Sequence, residues 1–195
     1  MPTKPTIHRD KERTRQAIRE AAERLLAAHG VTVKIGDIAE AAGVSKSGLL
    51  HHFPSKDSLL VAVAEEGTAN FRRKVLEAVD LSENRPGKLL RAYVRTMCPD
   101  DGQAPHLFLG VPWETLMPIE GVRQALEADE DHWEQAFAQD GLDLAWSRIV
   151  RYAADRTGEA AAHEHSRARV DLPAMRETLL AMAEPTYSRS ESSAQ

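Results

Sequence analysis

Twenty residues, Lys34–Phe53 (KIGDIAEAAGVSKSGLLHHF), constrain this chain more than any other stretch. Ile35, Ile38, Ala39 and Ala42 recur at spacings of three and four, which places them on one face of a short helix. Gly43 follows, where a helix end favours a residue at ease with left-handed backbone angles. Val44 is the apolar plug of the turn, and Ser45 offers a hydroxyl to an orphan backbone N–H of a second helix. Leu49, Leu50 and Phe53 give that helix a buried side. Lys46, Ser47, Gly48, His51 and His52 give it a small, polar or basic side. This division of labour is that of a helix-turn-helix, whose second helix enters the major groove of double-stranded DNA. At the N-terminal end of that helix, Ser47 is placed to donate or accept at a base edge, and Lys46 to reach a guanine or a phosphate. Gly48 lowers helix propensity by about 1 kcal/mol relative to alanine. Close approach of the backbone to DNA would account for it, as would simple tolerance.

The stretch DIAEAAGVSKSGLLHHFPSKDSLL closely resembles the signature of TetR-family bacterial transcriptional regulators. The resemblance is carried by the DIA run (Asp37–Ala39), AGVSK (Ala42–Lys46) and HFPSK (His52–Lys56) followed by Leu59 and Leu60. The small-residue start of the second helix, Ser47-Gly48-Leu49-Leu50, looks like a subgroup that includes multidrug-responsive repressors. The resemblance implies a DNA-contacting set of Thr14, Lys34, Ser45, Lys46, Ser47, Gly48, Leu49, His51, His52 and Lys56, with Arg15 beside Thr14 as a further phosphate candidate. Packing is the alternative for the histidines, and plain capping for Thr14. One position departs from the pattern: Lys34 stands where the family carries a capping Thr or Ser. Lysine has no acceptor to cap with, but it can meet a phosphate as a point charge.

The net charge of −5 argues against a DNA binder until the chain is divided. Residues 1–60 hold 10 Lys/Arg against 7 Asp/Glu, and the remainder holds 15 against 23. A basic head on an acidic body orients a molecule on a polyanion. Ala, Leu, Glu and Arg dominate and favour helix throughout. The single cysteine, Cys98, permits no intramolecular disulfide and fits a reducing cytoplasm. No secretory signal and no apolar run of membrane-spanning length is present, so a cytoplasmic protein with no membrane partner is expected.

Taken in order, residues 1–12 read as a mobile arm, and Thr14 as the cap of a helix striped by Ile18, Ala22, Leu25 and Leu26 and ended by Gly30. Pro54 stops the second helix of the motif. Ser55 caps a long helix that runs to about Phe71, its positive N-terminus and Lys56 suited to a phosphate. Pro86-Gly87 marks a connection before a helix on Leu89, Leu90, Tyr93, Val94 and Met97. Gly110 and Pro112 interrupt the apolar segment His106–Met117. A polar helix lies within 118–141, its acidic run Glu127–Asp131 read as a solvated face. Another follows on Leu142, Trp146, Ile149, Val150 and Ala153, closed by Thr157-Gly158, with residues 159–171 as a connection. The last carries Leu172, Met175, Leu179 and Met182. The expectation is an all-α chain with a three-helix DNA-binding head at 1–55 and a linking helix at 56–80. A helical ligand-binding and dimerisation domain at 81–185 and a disordered tail at 186–195 complete it.

The resemblance assigns the middle helices to a small-molecule pocket. Its candidate walls are Tyr93, Met97, Phe108, Val111, Trp113, Met117, Trp133, Phe137 and Trp146, suited to an apolar, aromatic or cationic effector. Aromatics at helical spacing equally describe a core. The last two helices correspond to the family's dimer element, with Trp146, Ile149, Val150, Ala153, Met175, Leu179 and Met182 at the homodimer interface. Effector binding is expected to move the Trp113 segment, push the linking helix and release a repressor from a palindromic operator. A ligand-independent activator or architectural factor is the alternative. No Gly-x-Ser-x-Gly, phosphate-cradling glycine loop or Cys-x-x-Cys is present, so neither an enzyme nor a cofactor is expected. His163-Glu164-His165 lacks metal-binding helix spacing, and no metal is expected.

Overall fold

The computed structural model describes residues 6–102, 115–162 and 165–185, with side chains from Asp10 onward. Among these residues every regular element is a helix. The helices are α1 (Thr6–His29), α2 (Ile35–Ala41), α3 (Lys46–His52), α4 (Lys56–Glu77), α5 (Lys88–Met97), α6 (Glu120–Ala138), α7 (Leu144–Ala161) and α8 (Arg167–Met182), with a short 3-10 turn at Gly30–Thr32. They form two compact units. Among the described residues, one holds 6–68 and 115–127 and the other 69–102 and 128–185.

The first unit is built on the apolar stripe of α1. Ile18, Ala21, Ala22 and Leu26 are fully buried against Ile38, Leu49, Leu59 and Leu60. Gly30 (φ 65°) and Gly43 (φ 68°) take the left-handed angles that end α1 and the α2 turn, where a Cβ is strained. Two expectations fail here. Residues 6–12 are the first turns of α1 rather than an arm. Thr14 lies inside α1, where its hydroxyl donates to the Asp10 carbonyl (2.8 Å) instead of capping. The unit also reaches beyond the expected head: Leu116 and Val122 are buried in its core, with Ile119 and Leu126 packed against it. Gly121 lies so close to Val61 that an added Cβ would meet the valine Cγ2 at 2.7 Å. The head is therefore discontinuous in sequence, because its own apolar faces leave a side of α4 that this later segment covers.

The second unit packs α5, α7 and α8 with the later parts of α4 and α6. Asp140 caps α5, its carboxylate accepting from the Leu89 and Leu90 N–H groups at 3.0 and 2.9 Å. Asp143 and Ser166 cap α7 and α8. Arg91 is buried and spans the ends of this unit, donating to the Pro86 and Ala183 carbonyls at 2.9 and 2.7 Å and to Glu83 at 3.2 Å. Thr157-Gly158 does not close α7. The helix runs on to Ala161, and the glycine at 158 makes room for the Met97 backbone: a Cβ there would stand 2.5 Å from the Met97 carbonyl oxygen. The following connection shortens accordingly, with α8 starting at Arg167. The expected tail at 186–195 lies outside the described residues.

Candidate nucleic-acid interface

α3 is a seven-residue helix, too short to persist alone, so its ends must be tied. At its start, the Ser45 hydroxyl accepts the Gly48 N–H at 3.0 Å, the expected cap, and lies 3.1 Å from the Ser47 hydroxyl. At its finish, Phe53 turns extended and buries its ring. Between them, Lys46, Ser47, Leu50 and His51 form an exposed row at spacings of one, three and one. This row is the face that α3 leaves uncovered.

Three expectations for α3 change. Leu49, expected among the DNA contacts, is fully buried in the core instead. Leu50, assigned to the buried side, is 36% exposed and joins the row. Its signal was its place one turn after Lys46, and an apolar side chain there suits a thymine methyl. Gly48 is half-buried beside the cap, where a Cβ would lie 3.2 Å from the Ser45 hydroxyl. The crowding of the cap supplies a local reason for glycine.

The flanking cations divide into exposed and occupied. Lys34 is exposed and makes no side-chain cap; the Asp37 carboxylate accepts its backbone N–H instead (3.3 Å), which replaces the missing Thr or Ser by a cap from inside α2. Ser55 and Ser58 cap α4 reciprocally, at 3.0 and 3.1 Å. Lys56 is half-buried, and its ammonium donates to the Val31 carbonyl. Arg15 donates from Nη1 to the His52 carbonyl (2.8 Å) and lies over the Phe53 ring, 4.4 Å from its centroid. His51 stands edge to face with His52. Burial, and then the positive charge of His51, Arg15 and Lys11, hold the His52 imidazole below its ordinary pKa.

Residues 18–63, the stretch that holds these elements, match the family described as bacterial regulatory proteins, tetR family. The match to that family covers this stretch, about a quarter of the chain. The chain is 46% identical over 63 residues to the HTH-type transcriptional repressor LfrR of Mycolicibacterium smegmatis, an alignment that spans 32% of this chain and a third of that relative's length. The likeness of fold reaches further. SCO4454, a TetR-family transcriptional regulator from Streptomyces coelicolor, superposes with a TM-score of 0.69 at 23% identity, covering 88% of this chain and 93% of its own. The multidrug binding protein EbrR in complex with malachite green gives 0.59 at 22%, covering 86% and 96%.

In the second unit, Phe71, Tyr93, Trp133 and Phe137 form one aromatic cluster. Tyr93 stands edge to face with Phe71 (5.3 Å), Trp133 (4.9 Å) and Phe137 (5.6 Å), and Trp133 stacks on Phe137 at 5.6 Å. Polar groups line it. The Tyr93 hydroxyl donates to Asp155 at 2.5 Å, and the Trp133 indole N–H donates to Asp129 at 3.1 Å. Arg72 pairs with Asp129 at 2.6 Å, and Arg151 pairs with Glu130. Burial pushes Asp155 up to about 6 and raises Asp129 against the pull of Arg72. The sequence reading missed Phe71 and both carboxylates. It placed Asp129 on a solvated face, whereas Asp129 is half-buried between Arg72 and Trp133.

The other pocket and interface candidates scatter. Met97 is fully buried, and the Trp146 indole N–H donates to the Met182 carbonyl at 2.8 Å. Met117 is 41% exposed and belongs to the first unit, so it is no wall of this cluster. Phe108, Val111 and Trp113 lie outside the described residues. Of the interface set, Val150 and Leu179 are buried in the protomer's own core, which removes them from any interface. Trp146, Ala153 and Met182 are half-buried, while Ile149 and Met175 are exposed together with Tyr152 and Val170, which the sequence reading did not name.

Proposed function

We propose that this chain is a sequence-specific DNA-binding transcriptional regulator, a repressor that acts as a homodimer and leaves a palindromic operator when a small molecule binds its second unit. The observation that carries the reading is the exposed row Lys46, Ser47, Leu50 and His51 on an α3 capped by Ser45 and seated on Leu49 and Phe53. A short helix so tethered presents polar side chains at base-edge reach while its own backbone stays satisfied. Lys34 and, with its remaining donors, Lys56 flank the row as phosphate contacts; His52 sits at its edge. Repression is taken from LfrR, a named repressor. A single head reads half a site, and two heads on one duplex face need centres about 34–36 Å apart. The apolar side chains Ile149, Tyr152, Val170 and Met175, exposed on α7 and α8, are the surface for the second copy.

The effector proposed is an aromatic cation, the class to which the malachite green bound by EbrR belongs. Tyr93, Trp133, Phe137 and Phe71 supply ring faces, and Asp129 and Asp155 supply counter-charge in a place where burial makes it effective. α4 and α6 each contribute residues to both units. A cytoplasmic location follows from the DNA partner, and no helix of the described residues is long and apolar enough to cross a membrane.

The test is selection of bound sequences from random duplex DNA by the full-length protein, repeated with Lys46→Ala. A palindromic consensus, lost or relaxed in the variant, is expected; weak, salt-erased and sequence-indifferent binding would overturn the reading. Malachite green titrated onto the operator complex is then expected to release the DNA, and unchanged operator affinity at saturating dye would sink the effector class.

A further inference from the structure

Arg15 stands on α1 one turn before Ile18, whose burial fixes the rotation of that helix. From there its guanidinium meets two features of the α3 terminus at once. Nη1 donates to the carbonyl of His52, the last residue of α3, at 2.8 Å, and the guanidinium carbon lies 4.4 Å from the centroid of the Phe53 ring. That carbonyl is one of the helix-end acceptors that no later turn satisfies, since Pro54 prevents α3 from continuing. A cation there also meets the negative end of the α3 dipole. The Phe53 ring is buried, so the stack is held from below by the core. Only a planar guanidinium fills both roles from one position.

We infer that Arg15 is a positioning residue that latches the C-terminal end of the recognition helix, rather than a phosphate contact. Ser45 fixes where α3 starts, and Arg15 fixes where it stops; the angle of the row Lys46, Ser47, Leu50 and His51 depends on both. Its consequence for DNA rests on the reading above, but the latch itself belongs to the free protein.

The experiment uses the full-length chain with Arg15→Gln and Arg15→Lys, read in two ways. In free protein, amide hydrogen exchange at residues 49–53 is expected to accelerate at least about tenfold in both variants, the scale of a lost hydrogen bond to a charged group, with the amides of α7 unchanged. On selected operator DNA, both variants are expected to keep the wild-type dependence of affinity on salt while the ratio of specific to non-specific binding falls. Exchange left unchanged in Arg15→Gln overturns the latch. So does a salt slope lowered by about one in Arg15→Gln and kept in Arg15→Lys, the behaviour of a phosphate contact. If the wild-type protein shows no sequence preference, the DNA reading fails, and the exchange measurement alone decides the latch. Retained α7 protection separates a loosened α3 from a misfolded variant.

Discussion

The two units handle polar chemistry in opposite ways. In the first, the core is apolar, and the polar side chains Lys46, Ser47 and His51 stand outside it on a helix whose cap and terminus are satisfied locally. In the second, carboxylates and arginines go inside: Asp155 and Asp129 meet Tyr93, Trp133 and Arg72, and Arg91 and Arg151 are nearly inaccessible. A surface that meets a polyanion in water gains from exposed charge. An interior that holds a neutral aromatic cluster beside acids carries a desolvation cost that a cationic guest would relieve. The difference separates the residues whose loss should change recognition from those whose loss should change the fold.

The widest separation is expected within α3 itself. Leu49→Ala empties a fully buried site and should lower unfolding stability by about 2–5 kcal/mol. Its neighbour Leu50→Ala should change stability by under about 0.5 kcal/mol while weakening operator binding. Chemical denaturation beside DNA titration checks both. Equal stability losses would mean that α3 turns differently and that the exposed row is misassigned.

A smaller effect tests the second unit's packing. Gly158→Ala drives a methyl into the Met97 carbonyl, which is backbone and cannot swing aside. A loss of about 1–3 kcal/mol is expected, typical of overpacking. Gly121→Ala in the first unit meets the side chain of Val61 rather than backbone and should cost less. Thermal unfolding of the two variants side by side ranks them, and a more stable Gly158→Ala would contradict the close passage of α7 over α5.

This asymmetry also sets what could be read in the sequence. The head was legible because its rules are local: Gly43 and Ser45 announce a turn and a cap within three residues, and Ile18, Ala22 and Leu26 repeat with the helix period. What failed there needed distant partners. No local signal brings Leu116 and Val122 into the core of the first unit, or ties Lys56 to Val31 and Arg15 to His52. In the body, periodicity found the helices but not their rotation. Val150 and Leu179 sit on stripes that fit a core and an interface equally, and burial put them in the core. Asp129 lies in a run of acids that looks solvated until Arg72 and Trp133 are seen beside it. Gly158 read as a stop because glycine ends helices more often than it admits a crossing backbone.

The finest test of the contrast is the acid at its centre. Asp155 titrates at about 6 in the folded chain, against 3.8 ordinarily. Burial is the main cause; Glu130 and Glu159 push the same way, while the Tyr93 hydroxyl and Arg151 oppose them. The folded state therefore holds a proton that the unfolded chain has released, and the contribution of this group to stability is full below about pH 4 and lost as pH rises through about 6. Asp155→Asn keeps an acceptor for Tyr93 but removes the charge. It should match the wild type near pH 4 and exceed it by roughly 1–2 kcal/mol at pH 8, after allowance for solvent reaching a half-buried side chain. Unfolding curves at the two pH values measure the difference. A variant less stable than the wild type at pH 8 would mean that the Arg151 pairing outweighs desolvation, and that the second unit holds Asp155 as a partner for its own arginine rather than as a charge kept for a guest.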